Sequence, residues 1–247
     1  MMLKDKNAII TGSRRGIGRA VVEVFAVQGA NVWACARKRD NAFEADMSDI
    51  AQEYGVTVMP VYFDLTNEAE MKEAINGIRK QKMSVDILVN AAGIADESTS
   101  FQMTRIEKMK RVIDVNLFGM TILTQYVSRL MARQNHGSIV NITSVAGIDG
   151  EPAQYEYAAS KAAVIGATRD LARELAADNI RVNAIAPGMV DTDMGAQIGD
   201  ELKRNILSKV IMGRMAKPVE IANVIAFVAS DLASYMTGQV IRVDGGM

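Results

Sequence analysis

The chain has 247 residues, of which 49% are hydrophobic, and its formal net charge at pH 7 is -1. This balance gives no electrostatic reason to expect binding to nucleic acid or to an anionic membrane, and no run of roughly 18 or more apolar residues is present to cross a bilayer. The lone cysteine, Cys35, excludes an internal disulfide. Together with an N-terminus unlike a signal peptide, it predicts a cytoplasmic protein. A single histidine leaves no histidine-based triad or zinc cluster, so we expect no metal site.

Short apolar runs typical of buried strands alternate along the chain with longer runs of helical spacing. The predicted strands cover residues 7–11, 31–36, 56–63, 86–90, 138–143, 180–186 and 239–243. The predicted helices cover residues 16–29, 42–54, 67–81, 104–133, 154–177 and 218–230. This alternation predicts an α/β fold, a Rossmann-type doubly wound parallel sheet of about seven strands with helices on both faces.

No linker rich in proline, glycine or serine divides the chain, so residues 1–247 are expected to form one domain. Residues 188–215 are the exception to the regular alternation, because they are long and poorly periodic. A segment of this kind beside a compact core is often functional, so we expect a substrate lid at about 188–215.

A glycine-rich loop follows the first predicted strand and precedes a predicted helix, and it reads Thr11-Gly12-Ser13-Arg14-Arg15-Gly16-Ile17-Gly18. Glycines let the backbone approach a pyrophosphate, and a helix N-terminus offers N–H groups and the positive end of a dipole. The spacing is Gly-x-x-x-Gly-x-Gly and not the more familiar Gly-x-Gly-x-x-Gly. The flanking strand and helix favour a nucleotide site over a tight turn without a ligand.

Tyr157 and Lys161 lie four residues apart in a run predicted to be helical, which places both side chains on one face. A lysine ammonium beside a phenol favours the phenolate and therefore lowers the pKa of the tyrosine. Taken alone, the pair is weak evidence and is better explained as an ordinary surface contact.

The chain resembles the short-chain dehydrogenase/reductase family over nearly its whole length. The motifs that carry the resemblance are, in chain order, the glycine loop, Asp64-Leu65, Asn90-Ala91-Ala92-Gly93, Asn116, Ser144, Tyr157-x-x-x-Lys161, and Pro187-Gly188 with Thr192. Ala91 is a departure, because the family has a second asparagine there. Tyr155 is not the family tyrosine, because Ala159 and not a lysine follows four residues later.

The resemblance implies an enzyme that interconverts a carbonyl and a hydroxyl group. In this scheme Ser144 holds the substrate oxygen and Tyr157 exchanges the proton. Lys161 lowers the pKa of Tyr157 and binds the nicotinamide ribose, while Asn116 holds a water that links Lys161 to solvent. Cofactor contacts are implied for Gly12, Ser13, Arg15, Gly16, Ile17, Gly18, Arg37, Asp64, Leu65, Asn90, Ala91, Gly93, Tyr157, Lys161, Pro187, Gly188, Val190 and Thr192.

The end of the second predicted strand indicates which nicotinamide cofactor is used. Family members that use NAD have an acidic residue there, whereas this chain has Ala36 followed by Arg37-Lys38-Arg39. Arginine forks suit a phosphate dianion, and Arg15 in the glycine loop adds another. The sequence therefore predicts NADPH/NADP+, with a solvated basic turn as the alternative.

Several stretches resemble the bacterial 3-oxoacyl-[acyl-carrier-protein] reductases of this family, namely residues 187–194, 213–215 and 237–246. This resemblance implies a small-molecule or carrier-protein-bound acyl substrate. An NADP-dependent alcohol, sugar or steroid dehydrogenase remains an alternative, because one fold serves many substrates. A cofactor-sensing protein without turnover is a second alternative, and the presence of both Tyr157 and Lys161 argues against it.

Two groups of residues suggest which other proteins or subunits this chain contacts. Arg129, Arg133 and Arg173 are candidates for a basic surface that receives an acidic carrier protein, although scattered arginines are usually ordinary surface charges. The helix that carries Tyr157 has a row of small residues, Ala159, Ala162, Ala163, Gly166 and Ala167. Family members commonly pair this helix across a two-fold axis, so the resemblance implies a homotetramer.

Overall fold

A computed structural model of the chain describes residues 1–192, 204 and 207–247. Its strands are β1 Asn7–Thr11, β2 Asn31–Ala36, β3 Val58–Tyr62, β4 Ile87–Asn90, β5 Gly137–Ile142, β6 Ile180–Pro187 and β7 Val240–Val243. They form one parallel sheet in the order β3-β2-β1-β4-β5-β6-β7. The predicted doubly wound α/β fold is therefore confirmed.

Helices cover both faces of this sheet. They are α1 Gly16–Val27, α2 Asn41–Tyr54, α3 Glu68–Lys80, α4 Ile106–Ile113, α5 Met120–Gln134, α6 Ala146–Asp149, α7 Tyr155–Glu174 and α8 Pro218–Ala229. One apolar cluster packs α1, α2 and α8 on one face, and a second packs α3, α5 and α7 on the other. Strand β1 alternates between them, because Ala8 and Ile10 belong to the first cluster and Ile9 to the second.

The order of the strands places a crevice at the carboxyl ends of β1 and β4. The chain winds outward from β1 through β2 to β3 and then returns to place β4 on the other side of β1. In open α/β sheets, ligands bind where the winding reverses in this way. Thr11 ends β1 and Asn90 ends β4, so both predicted cofactor motifs begin at this crevice.

The long helix predicted over residues 104–133 is interrupted. A 3₁₀ turn, Phe101–Met103, precedes α4, and a π-helical turn, Asp114–Gly119, separates α4 from α5. A Cβ at Gly119 would lie only 2.4 Å from the carbonyl oxygen of Leu65, so this glycine lets the helix pass directly over that backbone. The extra residue of a π turn redirects a side chain, and the turn contains Asn116.

Smaller differences occur at the edges of other elements. The strand predicted over residues 56–63 is shorter at both ends, and the helix predicted over 154–177 finishes in a 3₁₀ turn, Leu175–Asp178. The short helix α6 was not predicted, because four residues carry too little periodicity to detect. Of the predicted lid, residues 193–203, 205 and 206 fall outside the described residues. No described helix is long and apolar enough to cross a membrane.

Candidate active site

The loops that follow β1 and β4 are fastened together at the floor of the crevice. Thr11 Oγ1 accepts hydrogen bonds from the backbone N–H groups of Ala91 and Ala92, both at 3.0 Å. Gly12 has a φ of +71°, and a Cβ there would lie 2.9 Å from Ala92 Cα. Only glycine allows this close approach, so the predicted motifs after two separate strands form one surface.

The rest of the glycine loop is equally tight. Ser13 is fully buried, and its hydroxyl donates to the carbonyl oxygen of Ile10 at 2.8 Å. A Cβ at Gly18 would lie 2.2 Å from the carbonyl oxygen of Gly12, and one at Gly16 would lie 3.3 Å from Thr192 Cγ2. The first turn of α1 begins at Gly16 without a side-chain cap. The loop therefore presents backbone N–H groups of the kind that bind phosphate, with Thr192 beside them.

The basic cluster that follows β2 is partly occupied by carboxylates. Arg39 Nε lies 2.8 Å from Glu44 Oε1, and Arg14 pairs with Asp40. Arg37 is exposed and makes no hydrogen bond or ion pair within the described part of the chain. These pairings single out Arg37 as the arginine of the cluster that can accept a phosphate without breaking an ion pair.

Asp64 lies within the field of this cluster. Its carboxylate accepts hydrogen bonds from the backbone N–H of Thr66 at 2.8 Å and from its hydroxyl at 2.7 Å. These bonds lower the pKa of Asp64, the backbone bond most strongly, and the positive charges of Arg37 and Lys38 add to the effect. The adjacent Leu65 is the residue over which Gly119 passes.

The hydroxyl of Ser144 lies near the phenol of Tyr157. Ser144 stands two residues beyond β5, and its hydroxyl accepts the N–H of Ala146 at 3.2 Å. Burial raises the pKa of Tyr157 and outweighs the opposing effect of the nearby Ser144 hydroxyl. The sequence predicts a lowered pKa through Lys161, and in the protein alone that prediction is wrong. Desolvation of the phenol dominates, and Lys161 makes its hydrogen bond elsewhere.

Lys161 is a buried cation, with an exposed fraction of 5%. Its Nζ donates to the carbonyl oxygen of Ile142 at 2.8 Å and lies 5.7 Å from the centroid of the Tyr157 ring. Burial lowers the pKa of Lys161 to about 8. An ammonium has three donors, and within the described residues only one is used. The remaining donors suit the hydroxyl groups of a bound ligand.

Asn116 fastens the catalytic helix to the backbone that follows Gly93. Its Oδ1 accepts the N–H of Ile94 at 2.8 Å, and its Nδ2 donates to the carbonyl oxygen of Ile94 at 2.9 Å and to Ser160 Oγ at 3.0 Å. Ser160 in turn donates to the carbonyl oxygen of Tyr157 at 2.7 Å. Both amide hydrogens of Asn116 are therefore used, so the implied water link to Lys161 would use the second lone pair of Oδ1 or the backbone of the π turn.

Asn90 directs its side chain into the core. Its Nδ2 donates to Asn141 Oδ1 at 2.8 Å and to Thr124 Oγ1 at 3.1 Å, and Asn141 continues the buried chain to Thr168. Only 4% of Asn90 is exposed. Its side chain thus ties β4 to β5 and α5, which leaves its backbone for the predicted cofactor contact.

The segment after β6 lies between the serine turn and the C-terminal residues. The carbonyl oxygen of Pro187 accepts the N–H of Val145 at 3.1 Å, and the N–H of Gly188 donates to Val243 at 3.1 Å. A Cβ at Gly188 would lie 2.8 Å from Asp244 Cβ. Val190 is buried and forms an isolated bridge to Ala216, which closes the two described ends of the predicted lid onto each other.

Two residues beside the site were missed in the sequence. Glu156, next to Tyr157, is only 2% exposed and pairs with Lys108 at 3.0 Å. A lysine and a glutamate 48 positions apart give no local signal.

Tyr155 behaves as expected of a residue outside the catalytic group, because it is half exposed and packs edge-on against Phe101 with ring centroids 4.8 Å apart.

These features fit a nicotinamide dinucleotide. The glycine loop forms a cradle that Cβ atoms would fill, Lys161 offers buried donors, and Ser144 with Tyr157 presents a pair of hydroxyls at the same crevice. Within the described residues, no three histidine, cysteine or acidic side chains gather as they would to hold a metal. The arrangement can bind an organic cofactor and pass a proton to a neighbouring oxygen.

Comparisons with known proteins agree with this geometry. A family model described as enoyl-(acyl carrier protein) reductase matches residues 12–247. The 3-oxoacyl-[acyl-carrier-protein] reductase FabG of Aquifex aeolicus is 41% identical over 245 residues, which cover 99% of this chain and 98% of that protein. The FabG of Thermotoga maritima is 42% identical over 247 residues, covering 100% and 99%. A 3alpha-hydroxysteroid dehydrogenase of Mediterraneibacter gnavus is 40% identical over 246 residues, covering 99% and 98%.

Proposed function

Because the chain belongs to the short-chain dehydrogenase/reductase family and is an oxidoreductase acting on carbonyl or hydroxyl groups, we propose that it reduces a 3-oxoacyl thioester with NADPH. The substrate in this proposal is a 3-oxoacyl-[acyl-carrier-protein] of fatty acid synthesis. The observation that carries the proposal is the buried ammonium of Lys161, which lies 5.7 Å from the centroid of the Tyr157 ring, with the hydroxyl of Ser144 near the phenol.

The cofactor, when bound, supplies a hydride to the carbonyl carbon. The protein's part is to hold the carbonyl oxygen between the hydroxyls of Ser144 and Tyr157 and to deliver a proton to it. The raised pKa keeps Tyr157 protonated at neutral pH, which is the form a proton donor needs. An alkoxide is a far stronger base than a phenolate, so the phenol is acidic enough once hydride reaches the carbon. Lys161 then stabilises the phenolate left behind.

NADPH, and not NADH, is the proposed cofactor. Arg37 is exposed beside Ala36, where no carboxylate stands to accept ribose hydroxyls. A guanidinium can bind the 2′-phosphate through two parallel hydrogen bonds. Arg15, at the N-terminus of α1, is the proposed second contact to that phosphate.

The acyl carrier protein is proposed to dock on the basic residues at the ends of α5 and α7. Arg129, Arg133 and Arg173 are all exposed, and the guanidinium of Arg129 lies 5.8 Å from the centroid of the Tyr126 ring. An acidic carrier would be attracted to such a surface, more strongly at low ionic strength. The names of the Aquifex and Thermotoga relatives support this substrate.

A steroid alcohol is the second candidate substrate. The relative from Mediterraneibacter gnavus is named a 3alpha-hydroxysteroid dehydrogenase and is 40% identical over nearly the same length. The catalytic group is the same for both substrates, so the choice between them depends on the residues that contact the rest of the substrate.

Assembly and location complete the proposal. A homotetramer is supported by exposed apolar side chains on the α4–α5 and C-terminal surfaces, including Phe118, Ile106, Leu232 and Tyr235. Exposed Ala162 and Gly166 on α7 allow another helix to pack closely. The buried free thiol of Cys35 suits a reducing cytoplasm. A monomer mass by light scattering at micromolar concentration would contradict the assembly.

We further propose that residues 1–247 form one domain in which 188–215 acts as a lid. The bridge between Val190 and Ala216 holds the two ends of this segment together, as a hinged flap requires. Hydrogen exchange in the segment is expected to slow when NADPH and substrate bind. Slow exchange without ligand, unchanged on binding, would contradict a lid.

A substrate panel tests the proposed function. Wild-type protein is assayed with NADPH and with NADH against acetoacetyl thioesters on coenzyme A and on acyl carrier protein, a crotonyl thioester, and steroid, sugar and simple ketones. We expect the highest kcat/KM for the acetoacetyl thioesters with NADPH. A preference for the steroid would move the assignment to the second candidate, and reduction of the crotonyl double bond alone would contradict both.

A further inference from the structure

A buried ion pair joins the catalytic helix α7 to helix α4. Glu156 is 2% exposed, and its Oε1 lies 3.0 Å from Lys108 Nζ on α4. The Lys108 side chain is itself only 19% exposed. Removing two charges from water costs free energy that their attraction offsets only in good geometry. The proton transfer proposed above uses neither residue, so their burial requires another explanation.

Lys108 binds the loop formed by residues 94–100 as well as Glu156. Its Nζ donates to the carbonyl oxygen of Glu97 and, at 3.2 Å, to Thr99 Oγ1. The N–H of Thr99 donates in turn to the carbonyl oxygen of Ala153 at 2.9 Å, just before α7. One ammonium therefore gathers the 94–100 loop and the first turn of α7.

The same loop begins at the catalytic lysine. A Cβ at Gly93 would lie 3.3 Å from Lys161 Nζ, and Asn116 clamps the next residue, Ile94. Ala153, where the loop meets the approach to α7, has a φ of +63°, which is unfavourable for a residue other than glycine. The 94–100 loop thus crosses from Lys161 to Glu156 and is anchored at both ends.

The ion pair of Lys108 and Glu156 is incompletely hydrogen-bonded, which limits how much it stabilises the fold. Glu156 Oε2 is buried and has no hydrogen-bond partner within the described residues. Buried acceptors nearly always have one, and a well-packed apolar pair is often as stable as a buried ion pair. Glu156 therefore adds little stability for a buried carboxylate. Its presence is better explained by the position in which it holds Lys108.

We propose that Lys108 and Glu156 are positioning residues that hold the 94–100 loop against α7 and so set the width of the substrate cleft beside Tyr157. The inference rests on the proposed carbonyl reduction, because the cleft matters only if a substrate enters it. It predicts that the pair controls how the acyl substrate is held and has little influence on NADPH, because the cofactor contacts implied for this segment end at Gly93, before the loop.

Two single variants give the first test. Glu156→Gln and Lys108→Met should each lower kcat/KM for an acetoacetyl thioester by about tenfold or more, mostly through KM, because small misplacements of a substrate are costly. The KM for NADPH should stay within about twofold of wild type. Amide exchange across the 94–100 loop should be faster in both variants.

The double variant Lys108→Met with Glu156→Leu separates position from stability. It replaces the pair with apolar side chains of similar size, so the melting temperature should return close to wild type. The contacts to Glu97 and Thr99 are still absent, so kcat/KM should stay low and loop exchange fast. If the double variant regains wild-type kcat/KM together with wild-type stability, the pair is only structural and the proposal is overturned.

Lys6→Met is the matched control. It breaks another lysine–carboxylate pair, Lys6 with Asp231 at 3.0 Å, near the amino end of β1 and away from the crevice. Its kcat/KM and loop exchange should equal those of wild type. If wild-type protein reduces no carbonyl substrate, the proposed function fails, and loop exchange in the variants still decides the present inference. Faster exchange supports the proposal that Lys108 and Glu156 hold the 94–100 loop, and unchanged exchange overturns it.

Discussion

The two ends of the nucleotide crevice are built in opposite ways. At the catalytic end, Lys161 is fixed by a hydrogen bond to the carbonyl oxygen of Ile142, and the backbone carbonyl of Tyr157 accepts a hydrogen bond from Ser160. At the adenosine end, Arg37 is exposed, and its charge acts on Asp64 without an ion pair between them in the described residues. The first end works through geometry in a buried setting and the second through charge in water, so different changes should disable them.

Removing one oxygen at the catalytic end should have the largest effect. Tyr157→Phe deletes the proton donor but keeps the ring, so kcat should fall at least about 10²-fold while the Kd for NADPH barely changes. Steady-state kinetics and cofactor titration check this expectation. Tyr155→Phe, which changes a half-exposed ring two residues away, should leave the rate unaltered. If the kcat of Tyr157→Phe stayed within tenfold of wild type, Tyr157 would not be the proton donor, and the contrast between a catalytic end and an adenosine end would fail.

Burial of Lys161 should appear as a pH dependence of stability. Its pKa is lowered from 10.5 to about 8 in the folded protein, so between these values the unfolded chain holds a proton that the native state has released. The free energy of unfolding therefore rises as pH increases from about 8 to 10.5, by up to about 3 kcal/mol in full. Below about pH 8 this gain is absent, because Lys161 is protonated in both states. The free energy of unfolding of wild type minus that of Lys161→Met should rise from neutral to alkaline pH. A flat difference would mean that Lys161 is hydrated.

Exchanging charge at the adenosine end should reverse cofactor preference. Ala36→Asp with Arg37→Ala removes a cation and places a carboxylate where the 2′-phosphate must lie, which adds repulsion to lost attraction. Each charged contact contributes roughly 1.5–3 kcal/mol, so NADPH should weaken by about one to two powers of ten while NADH gains a partner.

The ratio of kcat/KM for the two cofactors measures this reversal. Arg39→Ala is the control, since Arg39 already pairs with Glu44 and should change the ratio little. A wild-type preference for NADH would instead make residues 37–39 a solvated basic turn.

Raising the salt concentration should affect the adenosine end of the crevice and not the catalytic end, and this is the smallest of the expected effects. Because Arg37 is exposed, its attraction to a phosphate is screened, and the KM for NADPH should rise a few fold between about 0.05 and 0.5 M salt. The KM for NADH should rise less, and kcat at saturation should hold because Lys161 is buried and Ser144 and Tyr157 are half-buried. Equal salt dependence for both cofactors would show that the 2′-phosphate meets no exposed cation.

The sequence predicted what local patterns determine. Continuous apolar strands such as Asn7–Thr11, and glycine spacing directly after a strand, reflect short-range constraints of a parallel sheet and a phosphate loop. The pairing of Tyr157 with Lys161 likewise follows from helix periodicity. Such local features are sufficient to predict the fold class, whereas the roles of Asn116, Ser144 and Tyr157 are implied by the resemblance to the short-chain dehydrogenase/reductase family.

Features set by distant residues were not predictable in this way. The π turn at Asn116 depends on Gly119 passing over Leu65, about fifty positions earlier. The direction of the Tyr157 pKa depends on burial that only the folded chain creates. The contact between Lys108 and Glu156 joins two helices, and neither residue is unusual in its own segment.

The central claim is that this chain passes hydride from NADPH to a carbonyl carbon while Tyr157 protonates the oxygen. The most direct measurement uses NADPH deuterated at the transferring position of its nicotinamide, an acetoacetyl thioester and mass spectrometry of the product. We predict a 3-hydroxyacyl thioester with one deuterium on the carbon that carried the oxo group, formed by wild type and not by Tyr157→Phe. A product without deuterium at that carbon, or equal yields from both proteins, would contradict the account.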